Sequence, residues 1–195
     1  MCEVQNEILQ LHLPTRPLAP RAQADLQKIH RGGNAEQYHA DKKYKEALKV
    51  AVEACAEDAK GQTCFICLES IEHYSREGLV RGCACRGTAG FAHVSCLVRQ
   101  ERTESETRVE ETKSFEDIGT LTSCKLCEKH YNAVVLLALG WAFWKKYAGK
   151  PEDDMYGGAL ANLALCLSGA DYEAEAKHVV MAFKLVVEAG QASDL

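Results

Sequence analysis

No apolar run in this chain approaches the roughly 18 residues that an ordinary membrane-spanning helix needs. The nearest is Ala133–Trp144, twelve residues without a charge, ended by Lys145 and Lys146. That length predicts a buried core helix and no membrane span. Basic residues are also short: 23 Lys and Arg stand against 28 Asp and Glu, a net charge of −5. Nucleic acid is therefore not an expected partner, since gripping it calls for a basic face. The first ten residues carry Glu3 and Glu7, with neither a basic n-region nor an unbroken apolar stretch. No secretory signal is read there, so the expected location is cytoplasmic, where thiols stay reduced. Proline is scarce. Three of the four lie at Pro14, Pro17 and Pro20, which predicts a disordered, mostly extended leader over 1–20.

What is present is an ordinary globular balance, 47% hydrophobic and 26% charged over 195 residues, with one excess. There are ten cysteines, and in a reducing compartment a cysteine cluster points to metal binding or catalysis before disulfides. A helical segment is predicted over 21–60, with Tyr44, Ala47, Leu48, Ala51, Ala54 and Cys55 on one stripe and Gly61 ending it. The cysteine-rich region spans 61–131. Within it, Glu101–Asp117 has seven acids and three bases and reads as a solvated helix or loop. A C-terminal helical region follows over 132–195. Its first helix is Ala133–Trp144, expected to pack on the finger's last knuckle and on the next helix, with Trp141 and Trp144 on one face. The second has Tyr156, Leu160, Leu163, Ala164 and Leu167 on one face. The third follows Asp171 as N-cap and closes at Gly190. The expected fold class is mainly α, with helical hairpins on both sides of a small metal-stabilised finger, each region holding its own core.

Eight residues carry the chemistry: Cys64, Cys67, Cys83, Cys85, His93, Cys96, Cys124 and Cys127. They fall into pairs, C-x-x-C at 64 and 124, C-x-C at 83 and H-x-x-C at 93, and each pair can clamp one metal through two donors on a tight turn. Four thiolate and imidazole donors make a closed tetrahedral zinc site with no open position for water. Eight donors mean two structural Zn2+ ions. The histidine, the paired spacing and the even split favour zinc over an iron–sulfur cluster. Cys2, Cys55 and Cys166 are unpaired in sequence and read as ordinary buried cysteines; His130 is a minor competitor as a ligand.

The order of four Cys, one His and three Cys, with C-x-C as the second pair, resembles the RING-CH (RING-variant) zinc finger of the membrane-associated RING-CH ubiquitin ligases. The stretch from Gly82 through Cys83-Ala84-Cys85-Arg86-Gly87 to Phe91-Ala92-His93-Val94-Ser95-Cys96-Leu97 is the most specific part. The resemblance implies a cross-brace, with Cys64, Cys67, His93 and Cys96 on one zinc and Cys83, Cys85, Cys124 and Cys127 on the other. It also implies that the finger binds a ubiquitin-conjugating enzyme as a scaffold, with no catalytic residue of its own, through Ile66 between the first ligands and Leu126 between the last. The flanks resemble tetratricopeptide units: Tyr44, Ala47, Ala51 and Ala54 match the second helix of such a repeat, and Asn162-Leu163-Ala164 with Gly169 and Tyr172 resembles the repeats of kinesin light chain.

Two departures bear on function. Gln100 stands where the family often has a tryptophan, and 27 residues separate Cys96 from Cys124. The leading expectation is a RING-CH ubiquitin ligase whose flanking helices choose the protein substrate. The alternative is a non-catalytic zinc-bearing adaptor. A PHD-type histone reader shares the ligand order, but Thr122 occupies the place of its characteristic tryptophan.

Overall fold

The computed structural model describes residues 35–100, 121–151, 153 and 155–193. The leader 1–20, the start of the 21–60 segment and the acidic stretch 101–117 lie outside the described residues.

Helix α1, Ala35–Cys55, buries Ala40, Tyr44, Ala47, Ala51 and Cys55, a stripe of small residues around one aromatic ring that lets another helix approach closely. Ala54, expected on that stripe, faces solvent. Helix α2, Ala133–Trp144, matches the sequence boundaries and starts on an Asn132 cap whose side chain accepts from Val135 N at 3.1 Å. Helix α3, Met155–Gly169, is opened by Asp153, whose carboxylate accepts from Met155 N at 2.9 Å. Helix α4 is Glu173–Ser193 and runs past Gly190.

Asp171 is not the N-cap of α4. It sits at φ +64°, the left-handed position that closes α3, with Tyr172 N bonded to Leu167 O at 2.9 Å. The first turn of α4 starts from Tyr172, whose carbonyl accepts from Ala176 N.

The helices pack in chain order, α1 on α2, α2 on α3 and α3 on α4. Helix α2 is apolar all round because it is enclosed. It meets α3 across Gly140, where an added Cβ would lie 2.6 Å from the Cys166 Cβ. Its other helical neighbour is α1, a partner that nothing in the sequence pattern pointed to. Trp141 accordingly turns to α1, edge-on to His39 at 5.8 Å, while Trp144 stacks edge-on against Tyr156 of α3 at 5.1 Å. Polar clamps reinforce the α1 contact. Gln37 donates to Lys145 O at 2.7 Å, and the Glu36 carboxylate accepts from Gly149 N at 2.7 Å and from the Tyr156 hydroxyl at 2.9 Å.

The cysteine-rich finger lies in sequence between α1 and α2 and contacts both. Among its described residues it has no extended strand, only isolated antiparallel bridges at Val80–Ala92 and Ser123–His130, and residues 94–100 are helical. The expectation of separate cores fails. Leu79, Val80, Phe91, Val94 and Val98 of the finger belong to one apolar cluster with Tyr44 and Ala51 of α1 and with Val135, Leu139 and Leu163 of α2 and α3. A finger of this size has little apolar volume of its own, so it completes its core against its neighbours.

Candidate metal centre

Two knuckles with the same backbone geometry begin the two halves of the site. Cys64 N bonds to Glu69 O at 2.9 Å and Leu68 N to Cys64 O at 2.8 Å; in the second, Cys124 N bonds to Lys129 O at 2.9 Å and Glu128 N to Cys124 O at 2.7 Å. The turn needs a left-handed residue after the second cysteine, and Leu68 (φ +66°) and Glu128 (φ +57°) occupy it. This winding points backbone N–H groups at sulfur: Ile66 N lies 3.4 Å from Cys64 Sγ. The C-x-C pair and the H-x-x-C pair come from opposite sides of the Val80–Ala92 bridge, whose reciprocal bonds of 2.8 and 3.0 Å fix their separation.

These elements bring Cys64, Cys67, His93 and Cys96 into one cluster and Cys83, Cys85, Cys124 and Cys127 into another, with the donor atoms of each cluster within 4.8 Å of one another. The interleaved pairing matches the cross-brace. A tetrahedral zinc has S···S edges of roughly 3.8 Å and S···N edges of roughly 3.6 Å, from Zn–S near 2.3 Å and Zn–N near 2.0–2.1 Å. Cys85 Sγ lies 3.8 Å from Cys124 Sγ, and His93 Nδ1 lies 3.4 Å from Cys67 Sγ and 3.6 Å from Cys96 Sγ. These contacts have the lengths of the edges of a coordination tetrahedron. Burial, helped by neighbouring sulfurs, pushes the Cys85 and Cys96 thiols well above the usual range; Cys127 is drawn down to about 7, first by its hydrogen bond with the Lys129 backbone. Such crowded sulfurs become stable thiolates when a divalent cation balances them. Each cluster thus fits one structural Zn2+.

Several supporting residues had no sequence signal that singled them out. Gly90 (φ +83°) nests against the second cluster, where an added Cβ would lie 2.9 Å from Cys83 Sγ and 2.8 Å from Cys85 Cβ. Tyr131 follows the second knuckle, its N donating to Thr122 O at 2.9 Å, and burial, with the charge of the neighbouring cysteines, raises its hydroxyl pKa. Two buried acids flank the first cluster. Glu72 accepts from Tyr74 N, Ser75 N and Ser75 Oγ at 2.8, 2.6 and 2.9 Å and pairs with Arg99 at 3.5 Å. The Ser75 N–H leads the causes that draw its carboxyl down to about 2. Glu77 accepts from Ser95 N at 3.0 Å and from the Tyr44 hydroxyl.

The remaining candidates separate cleanly. His130 is exposed, outside both clusters, with Nδ1 3.1 Å from Ser123 Oγ. Cys55 Sγ accepts from Arg81 N at 3.3 Å, and Cys166 is buried in α3, where burial pushes its thiol up to about 12. Ile66 is half-buried against the core, and Leu126 is 54% exposed.

Residues 64–127 match the RING-variant domain family. The match coincides with the first and last ligands of the series and covers the RING-variant finger alone. No curated protein and no solved structure gives a significant match to the chain. Among the described residues, no helix is long and apolar enough to cross a membrane.

Proposed function

We propose that this protein is a RING-CH-type ubiquitin ligase, in which the finger holds a ubiquitin-charged conjugating enzyme and the flanking helices bring a protein substrate to it. The observation that carries the reading is the interleaved pair of tetrahedral clusters within a RING-variant match. Closed tetrahedra leave no position for substrate or water, so the metals' part is to hold two knuckles in fixed relation. Ile66 and Leu126 occupy the corresponding place in each knuckle, after the first cysteine and before the second, and would be the apolar anchors for the conjugating enzyme. Acceleration would come from orienting the thioester, with no nucleophile from the ligase. The stacked helices α1–α4 would select the substrate in a tetratricopeptide-like manner, and the reduced cysteines suit a cytoplasmic protein.

An adaptor without ligase activity is the second reading, and one observation favours it: the finger shares its core with α1 and α2, as an element that mainly organises helices would. Incubating the full chain with ubiquitin, its activating enzyme, ATP and a panel of conjugating enzymes decides between them. Self-ubiquitination with at least one enzyme supports the ligase; none across the panel, with both metals bound, supports the adaptor.

A further inference from the structure

Glu77 is only 4% exposed, yet it reaches two separate elements. One carboxylate oxygen accepts from the backbone N–H of Ser95, 3.0 Å away, inside the turn that carries His93 and Cys96. The other accepts from the Tyr44 hydroxyl at the middle of α1. The Tyr44 ring is itself held from α2, since the Lys145 ammonium lies 3.7 Å from its centre, just after that helix ends. A buried acid is costly unless its oxygens are satisfied, so the position of this carboxylate is fixed jointly by the finger and the helix.

We propose that Glu77 is a positioning residue for the first metal site, through which Tyr44 of α1 sets how tightly that site holds its ion. The second site is braced differently: Gly90 of the finger packs on Cys83 and Cys85, and the segment leading into Cys83 rests on Val135 of α2. Loosening Tyr44 from Glu77 frees the Ser95 turn and lets His93 and Cys96 drift from their places in the cluster. Reciprocity follows, because two coupled equilibria change each other by the same factor: a metal in the first site tightens α1 against the finger, and a partner that displaces α1 weakens metal holding. Outer-shell residues that orient ligands typically change metal affinity roughly tenfold or more, which sets the expected scale.

Co2+ titration of the full chain tests this. A cobalt site of three cysteines and one histidine absorbs differently in the visible from a site of four cysteines, so the two can be followed separately. Tyr44→Phe and Glu77→Gln should each weaken cobalt at the histidine-containing site roughly tenfold relative to the all-cysteine site. Tyr156→Phe, which removes the hydroxyl bonded to Glu36 near the start of α1, should leave the ratio of the two affinities unchanged. An unchanged ratio in Tyr44→Phe, equal weakening at both sites, or the same selective loss in Tyr156→Phe would overturn the proposal. If Glu77→Gln does not fold, Tyr44→Phe alone carries the test, since it deletes a single hydroxyl and keeps the ring.

Discussion

Gly82 and Val135 touch so closely that a Cβ placed on the glycine would lie 2.7 Å from the valine Cβ. The contact fastens the segment leading into Cys83 onto the first turn of α2, and Asn132 N, donating to Gly82 O at 2.7 Å, holds the same junction. Gly82→Ala should destabilise the protein by about 1–3 kcal/mol through overpacking. The expected readout is a lower midpoint in chemical denaturation with metal present; an unchanged midpoint would show that the junction can open without cost.

Gly90→Ala should act on metal and stability together. The new methyl group would meet Cys83 Sγ at 2.9 Å, at a backbone position (φ +83°) that side chains rarely adopt. Elemental analysis should show the variant losing close to one zinc per chain, from the all-cysteine cluster. Retention of both would reject the cradle role.

The wild-type chain should carry two zinc ions, and their removal should reach the helices. Because finger and helices share one apolar cluster, chelation should lower the thermal midpoint of the far-UV helical signal, not only that of the finger. Cys67→Ser should do the same in part. A helical melt indifferent to chelator would mean that α1–α4 stand without the finger.

The ligand series and the boundaries of α2 were legible in the sequence because both are local. Donor spacing is set by the turn that holds each pair, and an uncharged run between Asn132 and Lys145 marks a helix whatever covers it. Half of its cover was legible as well, since α3, the next helix, packs on it as expected. The other half was not: α1 lies on the far side of the finger in sequence, and the stripe Tyr44, Ala47 and Ala51 says only that something packs closely there. Glu77 was invisible for a related reason: a buried acid is recognised by the groups that meet it, and here those groups are Tyr44 and the Ser95 backbone. Gly90 stood within the motif, but its necessity depends on where two sulfurs lie in space.

Leu126→Ala should lower ubiquitin transfer without releasing zinc or moving the melting temperature, since the side chain is 54% exposed. Ile66→Ala should lower transfer as well, with some loss of stability because Ile66 also packs against the core. An anchor of this kind is worth roughly 1–3 kcal/mol of binding. Transfer rates equal to wild type in both variants would remove these residues from the docking surface.

Glu36 should leave a signature in the pH dependence of stability. Burial is the leading cause that raises its carboxyl above 4.5, against the lowering effect of its bonds to Tyr156 and Gly149. A raised folded-state pKa means that the native protein holds the proton longer than the unfolded chain. Its contribution is therefore full below about pH 4.5 and is lost as pH rises through the folded value. Comparing unfolding free energies of wild type and Glu36→Gln between about pH 4.5 and 7, the wild type should lose ground as pH rises. A constant difference would contradict the assignment.

The placement of the finger between α1 and α2 also orders events during synthesis. Helix α1 leaves the ribosome long before α2, which packs against it, and the whole finger must be made in between. Joining Cys55 to Ala133 across an unmetallated chain would close a long loop, with the entropy loss that implies. Two ions that link Cys64 to Cys96 and Cys85 to Cys124 cut that loop into short pieces. Zinc supply during translation would then govern how long the nascent α1 remains uncovered, and a cell short of zinc would accumulate chains whose first helix is made but unsheltered.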